Sequence, residues 1–218
     1  MTQPAASCVL CGDHTVSRYA RDRERSYVQC DNCRLVFVPE AFHLNATDEK
    51  KRYDSHRNHS GDPGYRAFLA RLMEPLLPLL SAGDRGLDYG SGPGPTLSTM
   101  FEEHGHPMSC YDVYYAPHRS VLDERYDFIT CSETMEHFRQ PAREWRRFMT
   151  MLRPGGRLGI MTRMRDGVTS FDSWYYKNDP THVGFYSRAT FQWLAGKHNL
   201  EVEFHGDSVA LFQCPSTV

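Results

Sequence analysis

The run Arg85-Gly86-Leu87-Asp88-Tyr89-Gly90-Ser91-Gly92-Pro93-Gly94-Pro95 constrains the fold of this chain more than any other feature of it. Alternate glycines follow a short apolar stretch, and residues 96–104 then read as a helix that stops at Gly105. A strand, a tight turn and a helix in that order leave free backbone N–H groups at the helix start, the outline of a nucleotide-binding turn in an α/β sheet. Pro95 stands where a dinucleotide fingerprint needs its third glycine, which argues against a nicotinamide oxidoreductase. As the first helical residue, proline loses nothing by lacking an N–H. Asp88 ends the strand. Asp112 closes the next predicted strand, 108–112, and is placed to accept hydrogen bonds from a ribose.

The N-terminal part carries an independent signature. Four of the seven cysteines fall in two Cys-x-x-Cys pairs, Cys8/Cys11 and Cys30/Cys33, while Cys110, Cys131 and Cys214 lie in apolar runs. Two such knuckles supply four thiolates for a closed, tetrahedral Zn2+ site. Gly12 suits the turn after the first pair, and residues 27–29 and 35–38 can form a short hairpin. The competing reading is two disulfides or four free thiols. The first residues lack a basic and apolar leader, so a cytoplasmic location is expected, and there metal is favoured over disulfides.

These features divide the chain into a zinc ribbon at 1–40, a linker at 41–64 rich in His, Asp and Asn, and a main domain at 65–218. In the linker His43, His56 and His59 lack paired ligand spacing. Among 218 residues, 25 Lys and Arg stand against 27 Asp and Glu, so no global charge draws the chain to nucleic acid or an anionic membrane. No stretch approaches the ~18 apolar residues that span a bilayer. The mixed-sign run from Arg18 to Arg25 reads either as a solvated face or as a contact for RNA phosphates. Apolar residues at Phe68, Leu69, Leu72, Met73, Leu76, Leu77 and Leu80 predict an amphipathic helix over 65–80, ended or kinked by Pro75 and Pro78.

From about residue 65 to the C-terminus the chain resembles the class I S-adenosylmethionine-dependent methyltransferases. Leu87-Asp88-Tyr89-Gly90-Ser91-Gly92 is similar to the family's first motif. Residues 126–138, with Ser132-Glu133-Thr134-Met135-Glu136-His137, resemble its fourth-strand segment, and Leu152-Arg153-Pro154-Gly155-Gly156 resembles the turn into its fifth strand. Asp179-Pro180-Thr181-His182-Val183 is shared with an uncharacterised bacterial group of such proteins, relatives of which carry an N-terminal zinc ribbon. The resemblance implies a Rossmann-like α/β fold: a seven-stranded, mostly parallel sheet flanked by helices, with 200–204 and 208–213 as its last strands. It also implies S-adenosylmethionine as cofactor, with Asp88, Tyr89, Gly90 and Gly92 near the methionine moiety, Asp112 on the ribose, and Ser132 and Glu133 lining the cofactor side. One departure stands out. Only residues 113–125 separate Asp112 from the fourth-strand segment, so the third strand is abbreviated and the family's adenine-contacting acid has no counterpart.

Methyl transfer from a sulfonium asks mainly for alignment, exclusion of water and, for some acceptors, a base. The candidate catalytic residues are His182 and Tyr175, in an aromatic loop that also holds Trp174 and Tyr176, and His137, which follows the fourth-strand segment at the mouth of the site. For each histidine a structural role, bonded to a backbone carbonyl or packed in the core, stays open. The leading expectation is O- or C-methylation of a small-molecule acceptor. The alternatives are an RNA or ribosomal-component methyltransferase and a non-catalytic binding module of the same fold.

Overall fold

The computed structural model describes residues 7–55 and 59–216, and His56 lies outside them. Strands β1 (Val16–Arg21) and β2 (Ser26–Cys30) form an antiparallel hairpin, to which β3 (Val36–Phe37) adds along β2. The two Cys-x-x-Cys turns close the end of this hairpin. Cys8 Sγ lies 3.5 Å from Cys33 Sγ and Cys11 Sγ 3.4 Å from Cys30 Sγ, with all four sulfurs within 4.8 Å of one another. Those spacings are far longer than the ~2.05 Å of a disulfide. They bracket the ~3.8 Å expected between sulfurs that sit about 2.3 Å from one tetrahedral zinc.

Residues 41–64 are not bare linker. Helix α1 (Ala46–Asp54) occupies their middle, capped by Asn45, whose side chain accepts from the Asp48 amide at 3.0 Å. It buries none of its residues, so no apolar period announces it; good helix formers and the Lys50–Asp54 pair supply its local support. Helix α2 (Pro63–Leu76) starts at Asp62, whose carboxylate accepts from the Gly64 and Tyr65 amides, with Pro63 in the first turn. A single 3-10 turn, Leu77–Leu79, follows, so Pro75 and Pro78 end the helix rather than interrupt it.

The main sheet is built from β4 (Gly86–Tyr89), β5 (Met108–Tyr111), β6 (Tyr126–Ser132) and β7 (Leu152–Met161), all parallel, alternating with α3 (Thr96–Glu102) and α4 (Pro141–Met151). The chain then passes through β8 (Gly184–Phe185) and α5 (Arg188–His198). It returns to the sheet as β9 (Glu201–His205) and β10 (Val209–Gln213), with β10 antiparallel to β7 and β9. The strand order is β5-β4-β6-β7-β10-β9, which makes six strands and corrects the expected seven. The missing strand is the third of the family pattern. A parallel strand needs a crossover of a dozen or so residues before it and a return after it. Residues 113–125 hold only a turn closed by the Asp112–Ala116 bridge and the 3-10 segment Arg119–Asp123, so β5 stays at the edge.

Side chains alternate across the sheet with period two. Phe128 faces a core with Leu72, Leu76, Leu97 and Phe101 of α2 and α3, while Ile129 faces Trp145, Phe148 and Phe191 of α4 and α5. Helices thus cover both faces. The N-terminal hairpin does not hang free of this body. β8 pairs antiparallel with β3, Val36 opposite Phe185, so the hairpin and a loop of the main domain share a four-stranded sheet. Tyr27, Val36 and Val38 pack there against Trp174, Tyr176 and Phe185, which makes those loop aromatics core rather than open pocket wall.

Candidate active site

The C-terminal ends of β4, β5 and β6 open into a cleft of about 680 Å³, the edge where open α/β sheets place ligands. Its floor is the Gly-rich turn. Gly90 has φ +83, and a Cβ there would stand 2.2 Å from the Thr134 side chain, so only glycine fits between β4 and the loop after β6. Gly92, at φ +65, has open space where its Cβ would be. The Asp112 carboxylate ties this turn to the end of β5. It accepts from the Gly92 amide at 3.1 Å and from the Tyr114 and Tyr115 amides at 2.8 and 3.0 Å.

Several of the residues singled out in the sequence line this cleft together: Tyr89, Gly90, Gly92, Asp112, Ser132 and Glu133, and across from them His137 and His182. The Tyr89 hydroxyl is held by Arg147 at 2.7 Å and by Glu144, which also line the cleft. The Ser132 hydroxyl is buried and has no hydrogen-bond partner among the described residues. Two candidates lie elsewhere. Tyr175 is 66% exposed and does not line the cleft; its neighbour Tyr176 turns inward instead. Asp88 is buried beneath the turn, accepting from Thr130 at 3.0 Å and Ser98 at 3.2 Å.

Burial pushes the Asp88 carboxyl up to about 6, against hydrogen bonds from Thr130 and Ser98 that favour its charge. A carboxyl raised on folding stabilises the fold fully below its unfolded value and loses that contribution as pH rises through about 6. Asp88→Asn keeps both hydroxyl partners without the charge. It is expected to be more stable than the parent by roughly 2–3 kcal/mol at pH 8 and by little at pH 4, as read by urea unfolding. A gain that does not change with pH would show that Asp88 is not the titrating group.

On the opposite wall the loop after β6 meets the loop before β8. Glu136 is fully buried. Its carboxylate accepts from Thr162 Oγ1 at 2.9 Å and from the Tyr176 hydroxyl, which also approaches Glu133 at 3.4 Å. Burial, then the charge of Glu136, pushes Glu133 up to about 8, and burial lowers His182 to about 4. His182 Nδ1 lies 2.7 Å from the Tyr176 carbonyl and His137 Nδ1 3.1 Å from the Thr181 carbonyl. A carbonyl only accepts, so each Nδ1 carries a proton, and a neutral ring then has its lone pair on Nε2.

The His182 loop is set by the N-terminal hairpin. Arg25, almost fully buried, donates to the carbonyls of Lys177, Pro180 and His182, so this arginine of the mixed-sign run is spent internally. The sequence reading missed α1. Glu49 and Tyr53 of that helix line the cleft, with Tyr53 edge-on to His137 and Glu49 bonded to Tyr114 and Arg139. The Asn45 cap was the available signal for it.

A mixed sheet of this order, with a Gly-rich turn and an acid at the second strand end, is the frame of a methyltransferase type of α/β domain. Residues 57–204 match the family described as Methyltransferase domain. The chain belongs to that family. It is 33% identical over 81 residues to a ubiquinone biosynthesis O-methyltransferase of Aeromonas salmonicida, a match that covers 37% of this chain and 34% of that protein. Among solved structures, a methyltransferase from Galdieria sulphuraria superposes with a TM-score of 0.52 at 14% identity, covering 78% of this chain and all (100%) of that one. An O-methyltransferase family protein from Burkholderia thailandensis gives a TM-score of 0.48 at 16% identity, covering 81% of this chain and 64% of that one.

Proposed function

We propose that this chain transfers a methyl group from S-adenosylmethionine to a hydroxyl oxygen of a small-molecule acceptor. The observation that carries this reading is a two-sided cleft: a ribose-ready acid and Gly-rich turn on one wall, and a cluster of carboxyl groups and imidazoles on the other. On the cofactor wall, Asp112 retains a lone pair on Oδ2 for a ribose hydroxyl, the Gly90 to Gly92 backbone gives close approach, and Ser132 offers its unpartnered hydroxyl. The cofactor supplies a methyl carbon bonded to a positive sulfur, which keeps the bonding electron pair when the acceptor oxygen takes the methyl.

The chain's own task is alignment and removal of water. Helix α1 covers the cleft through Arg52 on Asp179 at 2.7 Å and Tyr115 on Asp54 at 2.6 Å, which favours an enclosed small acceptor over a polymer. The acceptor's hydroxyl proton is taken by Glu133, whose carboxylate faces the cleft with only the long Tyr176 contact. The relative from Aeromonas salmonicida, named as an O-methyltransferase, supports oxygen as the acceptor atom. The four sulfurs fit Zn2+ in a structural role, holding the hairpin that in turn positions the His182 loop. No described helix is long and apolar enough to cross a membrane, in keeping with a reaction in the aqueous phase.

The test is calorimetric titration with S-adenosylhomocysteine and NADH, followed by radiolabelled methyl transfer to a panel of phenols and to bulk RNA. Micromolar binding of the first ligand alone and label in a phenolic oxygen are expected. Label in RNA would overturn the acceptor class, and no cofactor binding would overturn the enzyme reading in favour of a binding module.

A further inference from the structure

We infer that Glu136, His137 and His182 form a second metal site, one that binds a divalent transition cation in the wall of the cleft opposite the Gly-rich turn and is distinct from the four cysteines. One ligand atom from each lies within 4.8 Å of the others, and all three residues line the cleft. Three features point to a cation rather than to a hydrogen-bonded cluster. The carboxylate of Glu136 makes no hydrogen bond or ion pair with either imidazole, although all three groups converge; its protein partners are the two hydroxyls of Thr162 and Tyr176. Each hydroxyl engages one oxygen, which leaves each oxygen a lone pair.

Second, both imidazoles are oriented as metal ligands are. Nδ1–H of His137 is fixed on the Thr181 carbonyl and that of His182 on the Tyr176 carbonyl, so the Nε2 lone pair of each neutral ring is left for the site. That outer bond to a carbonyl is the usual device that fixes tautomer and ring direction in a ligating histidine. The rings stand 4.8 Å apart, centroid to centroid, at 70°. Third, no Lys or Arg makes an ion pair with Glu136 among the described residues, although the more distant charges of Arg71 and Arg163 act on Glu133. A bound divalent ion would meet the charge of Glu136.

Ligands about 2.0–2.2 Å from one metal lie roughly 3 Å apart when adjacent and about 4.2 Å when opposite. The observed spacing therefore needs a closure of around an ångström, within reach of small side-chain rotations. Two nitrogens and one carboxylate oxygen suit a first-row divalent ion, in contrast to the all-sulfur set of the ribbon. Three protein ligands leave positions open toward the cleft, where an acceptor hydroxyl oxygen would bind. That last step rests on the O-methylation reading; the metal site itself does not.

The test uses the full chain with its cysteines loaded with Zn2+ and excess metal removed, then titrated with Mn2+ while the electron paramagnetic resonance signal of free Mn2+ is followed. Uptake of one Mn2+ per chain is expected. His182→Ala and His137→Gln, each checked for a native melting curve, should weaken it at least tenfold. If His182→Ala does not fold, His137→Gln alone decides. No uptake at ~1 mM Mn2+, or uptake unchanged in the folded variants, would overturn the site. Parallel titration with S-adenosylhomocysteine separates the two readings. Metal uptake without cofactor binding would defeat the methyl-transfer reading alone, and cofactor binding without metal uptake would defeat the metal site alone.

Discussion

Withdrawing zinc from Cys8, Cys11, Cys30 and Cys33 is expected to lower the melting temperature by about 10 °C or more and to loosen the cleft as well as the ribbon. Structural zinc sites contribute on the order of 10 kcal/mol in small zinc peptides. A domain of this size shifts by roughly 2–4 °C per kcal/mol, so even a fraction of that contribution is a large effect. The consequence reaches the cleft because β8 is stitched to β3 and because Arg25 holds three carbonyls around His182. Chelation, or Cys30→Ser, should release about one zinc per chain and raise amide hydrogen exchange over residues 171–186. Protein purified under reducing conditions that contains no zinc, or a melt indifferent to chelation, would remove the four-sulfur site from the account.

The second large effect is on cofactor affinity. Asp112→Ala is expected to weaken S-adenosylhomocysteine binding by roughly ten- to a hundredfold in calorimetric titration. A hydrogen bond from a ribose hydroxyl to the lone pair left on this carboxylate contributes about 1.5–3 kcal/mol, roughly 10–10² in affinity. The change also frees the Gly92, Tyr114 and Tyr115 amides, which loosens the turn. Asp112→Asn separates the two contributions, because its oxygen can still accept from Tyr114 and Tyr115; an intermediate loss is expected. Affinity that is unchanged in the alanine variant would show that Asp112 holds the turn and not the ribose.

What the sequence determined by itself is local or nearly so. The strand, turn and helix at Gly90 follow from glycine's access to φ +83, from Pro95 and from the apolar stretches on either side. The pairing of the two cysteine knuckles follows from their spacing, and Asp112 from its place at the end of the next strand. These are short-range constraints, and each came out where the pattern put it. The tertiary structure alone decided the rest. Helix α1 has no apolar face, so nothing in its periodicity shows that its charged side chains would lash it across the cleft. Tyr175 and Tyr176 are adjacent in one 3-10 segment, and packing against the ribbon, not residue type, turns the second inward and leaves the first in solvent. Six strands stand where seven were expected because the loop after Asp112 is too short to cross over and return. The meeting of Glu136 and His137 with His182 is likewise beyond any sequence window. It depends on a loop held by a buried arginine of the ribbon, a contact between distant segments that only the closed fold creates.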